Sequence, residues 1–228
     1  MAQGKKGVAV DPAHMSPSDH ARLKRPSLWE AMLSMLAVGV LYAFLPTKLL
    51  IGPAWLLLAI DAVFLLPIAF TLLTEHGLPY QTLHPLLLTL LGVLTLGLAS
   101  AIALLIITVI GNKYATILLR SAILLWSSNI LVFGLWYWQI DSGGPVKRQQ
   151  SDSQVEDFLF PQQENGNPPG WTPCFLDYLF LAFTGAIALS PTEMFPLTQR
   201  AKILMMIEIL LALLVVAIPT ISEFHLPW

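Results

Sequence analysis

Charged residues are scarce in this sequence. Asp, Glu, Lys and Arg make up 11% of its 228 residues and hydrophobic residues make up 56%, whereas soluble domains carry about 25% charged residues. The formal net charge is −2, so there is no basic surface to neutralise phosphates, and we expect no nucleic-acid partner. A chain this apolar is predicted to be an integral membrane protein whose main partner is the lipid bilayer.

Cysteine and catalytic motifs are also nearly absent. Cys174 is the single cysteine, which excludes an intrachain disulfide and any site built from several cysteines. The sequence contains no HExxH, no GxSxG, no Walker loop and no GxGxxG motif that opens a helix. We therefore predict a protein that is not an enzyme and that has no catalytic residues, cofactor or metal site.

Long apolar runs separated by helix breakers predict an all-α fold, a multi-span transmembrane helical bundle. Residues 1–26 are polar and are predicted to form a disordered tail, and residues 27–140 hold four apolar runs. Residues 141–172 contain more acidic than basic side chains and predict a mobile loop. Residues 173–228 form a C-terminal module. The runs give five full spans and one short re-entrant half-helix, or else six full spans.

The C-terminal module has three parts. A short apolar segment, about Phe175 to Leu189, precedes a polar kink at Ser190, Pro191, Thr192 and Glu193, and a long apolar helix follows. The first segment has about 15 residues and, at 1.5 Å per residue, is shorter than the roughly 30 Å hydrocarbon core of a bilayer. It therefore predicts a half-helix that enters and leaves the membrane on one side.

This layout resembles the pore helix, filter and inner helix of the two-helix potassium-channel pore domain. Phe183 and Pro196-Leu197-Thr198 fall at matching separations. The filter of that family reads TVGYGD, and its glycines let successive carbonyls face the pore. The same register here is Ala188 to Glu193, and only Glu193 keeps its chemical type. The resemblance implies a degenerate pore-loop module, with a monovalent cation and further copies of the chain as candidate partners.

Four other motifs occur together in the second half of the chain. They are Gly134 to Pro145, Asp157 to Gln162, Asp177 to Phe180, and Ser190 to Thr192. This set resembles an uncharacterised bacterial integral-membrane protein family. The resemblance implies a multi-pass protein of the bacterial plasma membrane and carries no established activity.

The distribution of basic residues predicts the orientation in the membrane. Lys and Arg are enriched in cytoplasmic segments near spans, and the strongest basic cluster is N-terminal, so the N-terminus is predicted to be cytoplasmic. Five spans and a half-helix then place the re-entrant element on the cytoplasmic face, opposite to its side in potassium channels. The basic cluster consists of Lys5, Lys6, Arg22, Lys24 and Arg25.

Two ionisable residues inside the first four runs are candidate intramembrane polar residues. Asp61 lies in the middle of the second run, where it is interpreted as a proton or cation site, a neutral acid, or a structural partner of Arg120. Arg120 lies about six residues into the fourth run, from where its side chain can reach the membrane surface. Trp136, Tyr137 and Trp138 end the same run and predict an interfacial aromatic belt.

Glu208 lies in the last run. A carboxylate at this position either lines a cation path or bonds to Asn129 or Ser128 on a neighbouring helix. Two functions therefore remain open from the sequence. The first is an ion-channel-like protein with a degenerate pore loop, and the second is a non-conducting structural or interaction protein of the membrane.

Overall fold

The computed structural model describes residues 28–53, 55–73, 80–109, 115–150, 156–164, 171–187 and 194–224. This part of the chain is mostly helical, which confirms the all-α class. The elements in chain order are α1 (Leu28–Ala43), a 3₁₀ turn (Thr47–Leu49), α2 (Trp55–Leu73), α3 (Tyr80–Val109), α4 (Ala115–Ile140), a 3₁₀ turn (Asp141–Gly143), α5 (Pro145–Gln150), β1 (Phe158–Leu159), α6 (Pro161–Glu164), α7 (Phe175–Ala186), β2 (Phe195–Pro196) and α8 (Gln199–Phe224).

Within the residues that the structure describes, two helical stretches are long and apolar enough to cross a membrane. They are Thr82–Thr108 and Leu118–Gly143. Met32–Ala43, Trp55–Pro67 and Phe175–Ala186 are apolar but shorter. The last of these has 12 residues, or about 18 Å of helix, so its length agrees with a half-helix. The larger number of spans stays a prediction.

Helix α4 is the centre of the described fold. It packs against α1, α3, α7 and α8, and Leu125, Val132 and Phe133 along it are fully buried. At Gly134 the helix lies so close to α7 that an added Cβ would be 3.2 Å from the Cα of Leu179. The short helix α7 is thus seated directly on the backbone of the central helix.

The described residues between 141 and 172 are packed against the bundle, unlike the mobile loop expected for this segment. β1 pairs with β2 in antiparallel orientation, with Phe158 opposite Pro196 and Leu159 opposite Phe195. Phe158 and Phe160 are buried, and their rings make edge contacts with Tyr178. This aromatic contact orders the segment because it removes large apolar rings from water.

Candidate functional site

Glu208 is the centre of an interior acid site that we define by Glu208, Tyr137, Asn129 and Gly185. Helix α8 carries the carboxylate, which is 0% exposed. The hydroxyl of Tyr137 on α4 donates a hydrogen bond to Glu208 Oε2. Gly185 on α7 faces the same oxygen, and a Cβ there would be 3.0 Å from it. Three helices therefore meet at one carboxylate.

Two oxygen atoms of the interior acid site have no hydrogen-bond donor among the described residues. Asn129 Nδ2 donates to the backbone carbonyl of Glu208 over 3.3 Å, while Ser128 bonds to the Leu124 carbonyl of its own helix. Glu208 Oε1 and Asn129 Oδ1 are buried and have no hydrogen-bond partner among the described residues. The Glu208 carboxylate can accept a proton, and either oxygen can accept a hydrogen bond or ligate a cation. Of the two partners expected for the Glu208 carboxylate, Asn129 bonds to the backbone of Glu208 instead and Ser128 bonds to its own helix.

Asp61 is a second buried acid and lies on α2, which packs against α1 and α3. The side chain of Asp61 is buried, with the residue 0% exposed. Neither of its carboxylate oxygens has a hydrogen-bond partner among the described residues. Arg120 is exposed, and no ion pair in the described part of the chain joins it to Asp61. The interpretation of these two residues as structural partners is therefore wrong. Arg120 keeps the surface position that its long side chain permits.

The aromatic run at the end of α4 does not form the expected belt. Tyr137 is 0% exposed and Trp138 is buried, while Trp136 donates a hydrogen bond to Thr95 on α3 over 2.8 Å. These rings lie in the interior because α4 is surrounded by other helices along this stretch. The prediction of an interfacial belt is wrong for Tyr137 and Trp138.

A polar cluster ties the same end of α4 to α7 and α8. We call it the loop clamp, and it consists of Asp141, Arg148, Asp157, Tyr178 and Arg200. Its first half depends on a sharp turn after α4, in which Ser142, Gly143 and Gly144 have φ angles of 53°, 76° and 99°. Two adjacent glycines suit this turn because positive φ costs them little.

Asp141 joins the turn to two other segments. Its Oδ1 accepts the backbone N–H groups of Asp157 over 2.8 Å and Phe158 over 3.3 Å. Its Oδ2 accepts the hydroxyl of Tyr178 on α7 over 2.5 Å. Arg148 Nε lies 3.6 Å from the same oxygen. A buried carboxylate with this many donors fixes the start of β1 and the position of α7.

Asp157 holds the start of α8. Arg200 donates to both of its oxygens, from Nε to Oδ1 and from Nη2 to Oδ2, each over 2.6 Å. The Thr198 hydroxyl also bonds to Oδ1, and the Leu197 N–H donates to the Asp157 carbonyl over 2.8 Å. Paired bonds of this kind between a guanidinium and a carboxylate are strong and directional. The loop clamp therefore aligns the C-terminal helix with the short helix.

Arg148 completes the loop clamp from α5. Its Nη2 donates to the carbonyl of Trp138 over 2.8 Å, and its guanidinium carbon lies 5.0 Å from the centre of the Tyr178 ring. A cation over an aromatic face is attracted by the ring. The cluster thus combines an ion pair, ring contact and backbone bonds.

Two titratable groups outside the spans respond to burial. Burial raises the pKa of Glu156 above its usual value, and the neighbouring charge of Asp141 adds to the effect. Burial also raises the pKa of the Cys174 thiol, and its hydrogen bond with Asp177 adds to this. Cys174 is exposed at the start of α7, so its thiol can be reached by reagents but is less ionised than usual near neutral pH.

The predicted pore-loop site lies outside the described residues. This applies to Ser190, Pro191, Thr192 and Glu193, which follow the described end of α7. On either side of them the structure places the short helix α7 and the long helix α8. In the part of the chain that the structure describes, no group of three or more His, Cys, Asp and Glu side chains forms a metal site.

Sequence reasoning missed the loop clamp and the role of Tyr137. A signal for them was present, because Tyr137 and Asp141 fall in one of the four motifs singled out above, Asp157 in the second and Tyr178 in the third. What could not be read was their proximity, since Asp141 and Tyr178 are 37 residues apart in the chain. Comparisons with protein-family models, with curated proteins and with solved structures found no match to this chain.

Proposed function

We propose that this chain is a multi-span membrane protein in which an ion-channel-like, degenerate pore-loop module encloses a closed interior site for a proton or a monovalent cation. The observation that carries the proposal is Glu208. It is fully buried between three helices, and its Oε1 has no partner among the described residues. An ionisable group inside a membrane bundle is costly and is usually retained for a functional reason.

The membrane setting is supported by the outer surface of the bundle. Large apolar side chains are more than half exposed on several helices, including Leu66 on α2, Leu96 and Ile107 on α3, and Met206 and Leu213 on α8. Soluble monomers rarely expose so much contiguous apolar surface. Together with the two helices of sufficient length, this surface fits a bilayer. We place the protein in a bacterial plasma membrane with a cytoplasmic N-terminus.

The site is proposed to be closed within one chain. In a channel built from a ring of such modules, the inner helix faces an axis shared by the subunits. Glu208 instead faces α4 and α7 of its own chain. A proton or cation bound there is held inside the subunit, so binding does not require a ring, although an assembly of several copies remains compatible with it.

A second function is favoured by the hydrogen bonds of the same residues. Tyr137 bonds to the Glu208 carboxylate, and Asn129 bonds to the Glu208 backbone. Such bonds between helices commonly stabilise bundles in membranes. On this alternative the protein is a non-conducting structural or interaction protein, and Glu208 only joins α4 to α8.

Reconstitution into liposomes distinguishes the two functions. Proton uptake and tracer uptake of sodium and potassium are measured for the wild type and for Glu208→Gln, which keeps the size of the side chain. Glu156→Gln, outside the spans, serves as the matched control. We expect uptake by the wild type and by Glu156→Gln, and loss of uptake in Glu208→Gln with an unchanged melting temperature. If the wild-type protein takes up neither protons nor cations, the proposed proton or cation site is rejected and the non-conducting structural function remains.

A further inference from the structure

Asp61 is a second buried acid that is separate from the interior acid site. It lies on α2, which packs against α1 and α3, whereas Glu208 lies on α8, which packs against α4 and α7. Both oxygens of Asp61 are buried and without a hydrogen-bond partner among the described residues. An unpaired carboxylate in such a place is expensive unless something neutralises it.

The close approach of α1 makes room for this carboxyl group. Gly39 on α1 faces Asp61, and an added Cβ would be 2.8 Å from Oδ2 and 3.0 Å from a methyl carbon of Leu58. A side chain at this position would collide with the carboxyl group. The helix surface opposite Asp61 therefore supplies space but no side-chain donor.

Within the described residues, no basic side chain forms an ion pair with Asp61. Helices α1, α2 and α3 contain no Lys or Arg, and their other titratable side chains are Glu30, Tyr42, Tyr80 and His84. Of these, Tyr42 bonds to Ser100 and His84 bonds to Gln139. Beyond the three helices, Lys48 and Arg120 are exposed. Because no described side chain supplies a counter-charge, neutralisation by a bound species is favoured.

The number of oxygen ligands around Asp61 indicates which bound species neutralises it. Metal cations in proteins are held by several oxygen ligands at once. Asp61 offers one carboxylate, opposite a glycine and a leucine methyl group. A proton needs only one oxygen, and protonation removes the charge without further ligands. We propose that Asp61 is a proton-binding site, distinct from the site at Glu208.

A groove lies on the part of α2 next to Asp61. Its volume is about 390 Å³, and its lining includes Leu57 and Ile60 of α2, Tyr42 of α1, and Ser100 of α3. Leu57 is one helical turn before Asp61, but Asp61 itself is not part of the lining. The carboxyl group is therefore enclosed by the helices, and the groove stops short of it.

The protonation state is tested by infrared spectroscopy of the full chain in lipid nanodiscs. A protonated carboxyl group has a carbonyl stretch that an ionised one lacks. We expect this band at neutral pH in the wild type and in Glu208→Gln, and its loss in Asp61→Asn. The same spectrum from wild type and Asp61→Asn would overturn the inference. The proposal uses the membrane setting of the proposed function but does not depend on Glu208.

Labelling of unmutated protein covers the case in which Asp61→Asn does not fold. Dicyclohexylcarbodiimide enters the bilayer and couples to protonated carboxyl groups, and peptide mass spectrometry locates the product. We expect modification of Asp61 that slows as the pH rises, with none from a water-soluble carbodiimide. Absence of this modification while Glu208 reacts would sink the inference and leave the proposed function standing. If Asp61 is modified but the wild-type protein takes up neither protons nor cations in liposomes, the inference about Asp61 stands and the proposed function fails.

Discussion

At the scale of single residues, four carboxylates are buried in the described part of the chain, and their surroundings differ. Asp157 is paired with a guanidinium, and Asp141 accepts backbone N–H groups and a phenol. Glu208 accepts one phenol, and Asp61 has no partner among the described residues. The two well-bonded acids lie in the loop clamp, and the two with unfilled oxygens lie between helices. The first two hold the fold, and the other two are the acids at which we propose ligand binding.

The ion pair of the loop clamp gives a stability prediction. Arg200→Ala leaves Asp157 buried without its counter-charge, and removing one member of a buried pair costs about 3 kcal/mol or more. Because the Arg200 side chain is 58% exposed, we expect a loss on the order of 2 to 3 kcal/mol, since water screens part of the interaction. The measurement is urea unfolding in detergent.

Lys202→Ala is the matched control for this measurement. It removes an exposed cation of the same helix, and exposed charges usually contribute less than about 1 kcal/mol. Equal losses in the two variants would show that the pairing of Arg200 with Asp157 does not stabilise the fold. The double variant Asp157→Asn with Arg200→Ala should be less damaged than the sum of the two single changes, since the members of a pair are coupled.

At the scale of elements, the short helix α7 takes its position from contacts at both of its ends. Its start is held by the loop clamp, and its middle lies against the backbone of α4 at Gly134. Gly185 near its end leaves space for the Glu208 carboxylate. A helix of 12 residues is too short to be stable alone in water. Its position therefore depends on tertiary contacts more than on its own sequence.

Two glycines test how closely α4 and α7 must approach. Gly134→Ala brings a methyl group within 3.2 Å of the Leu179 backbone, whereas Gly92→Ala on α3 meets no atom within 4 Å. Replacing glycine by alanine inside a helix stabilises the helix by about 1 kcal/mol at both positions. The difference in the free energy of unfolding between the two variants therefore measures the effect of packing. We expect Gly92→Ala to be neutral or stabilising and Gly134→Ala to be less stable by about 2 kcal/mol. If thermal unfolding shows equal changes in stability for the two variants, the close contact between Gly134 and the Leu179 backbone is refuted.

At the scale of the whole molecule, the fold has an apolar outer surface and a polar cluster at one end. The loop clamp lies where α4 ends and where α7 and α8 begin. Between the helices the buried polar groups are few, while large apolar side chains face outward. This distribution suits a bilayer, in which water meets only the ends of the helices.

The native Cys174 reports the orientation of the molecule. If the N-terminus is cytoplasmic and four spans precede Cys174, as we propose, the loop-clamp end is predicted to face the cytoplasm. We expect a membrane-impermeant maleimide to label Cys174 in inverted vesicles but not in intact cells, and Cys174→Ser to remove the label. Because burial raises the pKa of this thiol, labelling should be faster at mildly alkaline pH. Labelling in intact cells would reverse the predicted orientation.

The amino-acid sequence by itself determined the helical class, the apolar runs and the polar residues inside them. These features are local, because apolar run length and breaker residues act on neighbouring positions. Tertiary structure alone decided which partners meet: Tyr137 with Glu208, Asp141 with Tyr178, and Asp157 with Arg200. It also separated Asp61 from Arg120 and turned Tyr137 inward. Such pairings depend on how helices pack across long stretches of chain, which residue spacing does not specify.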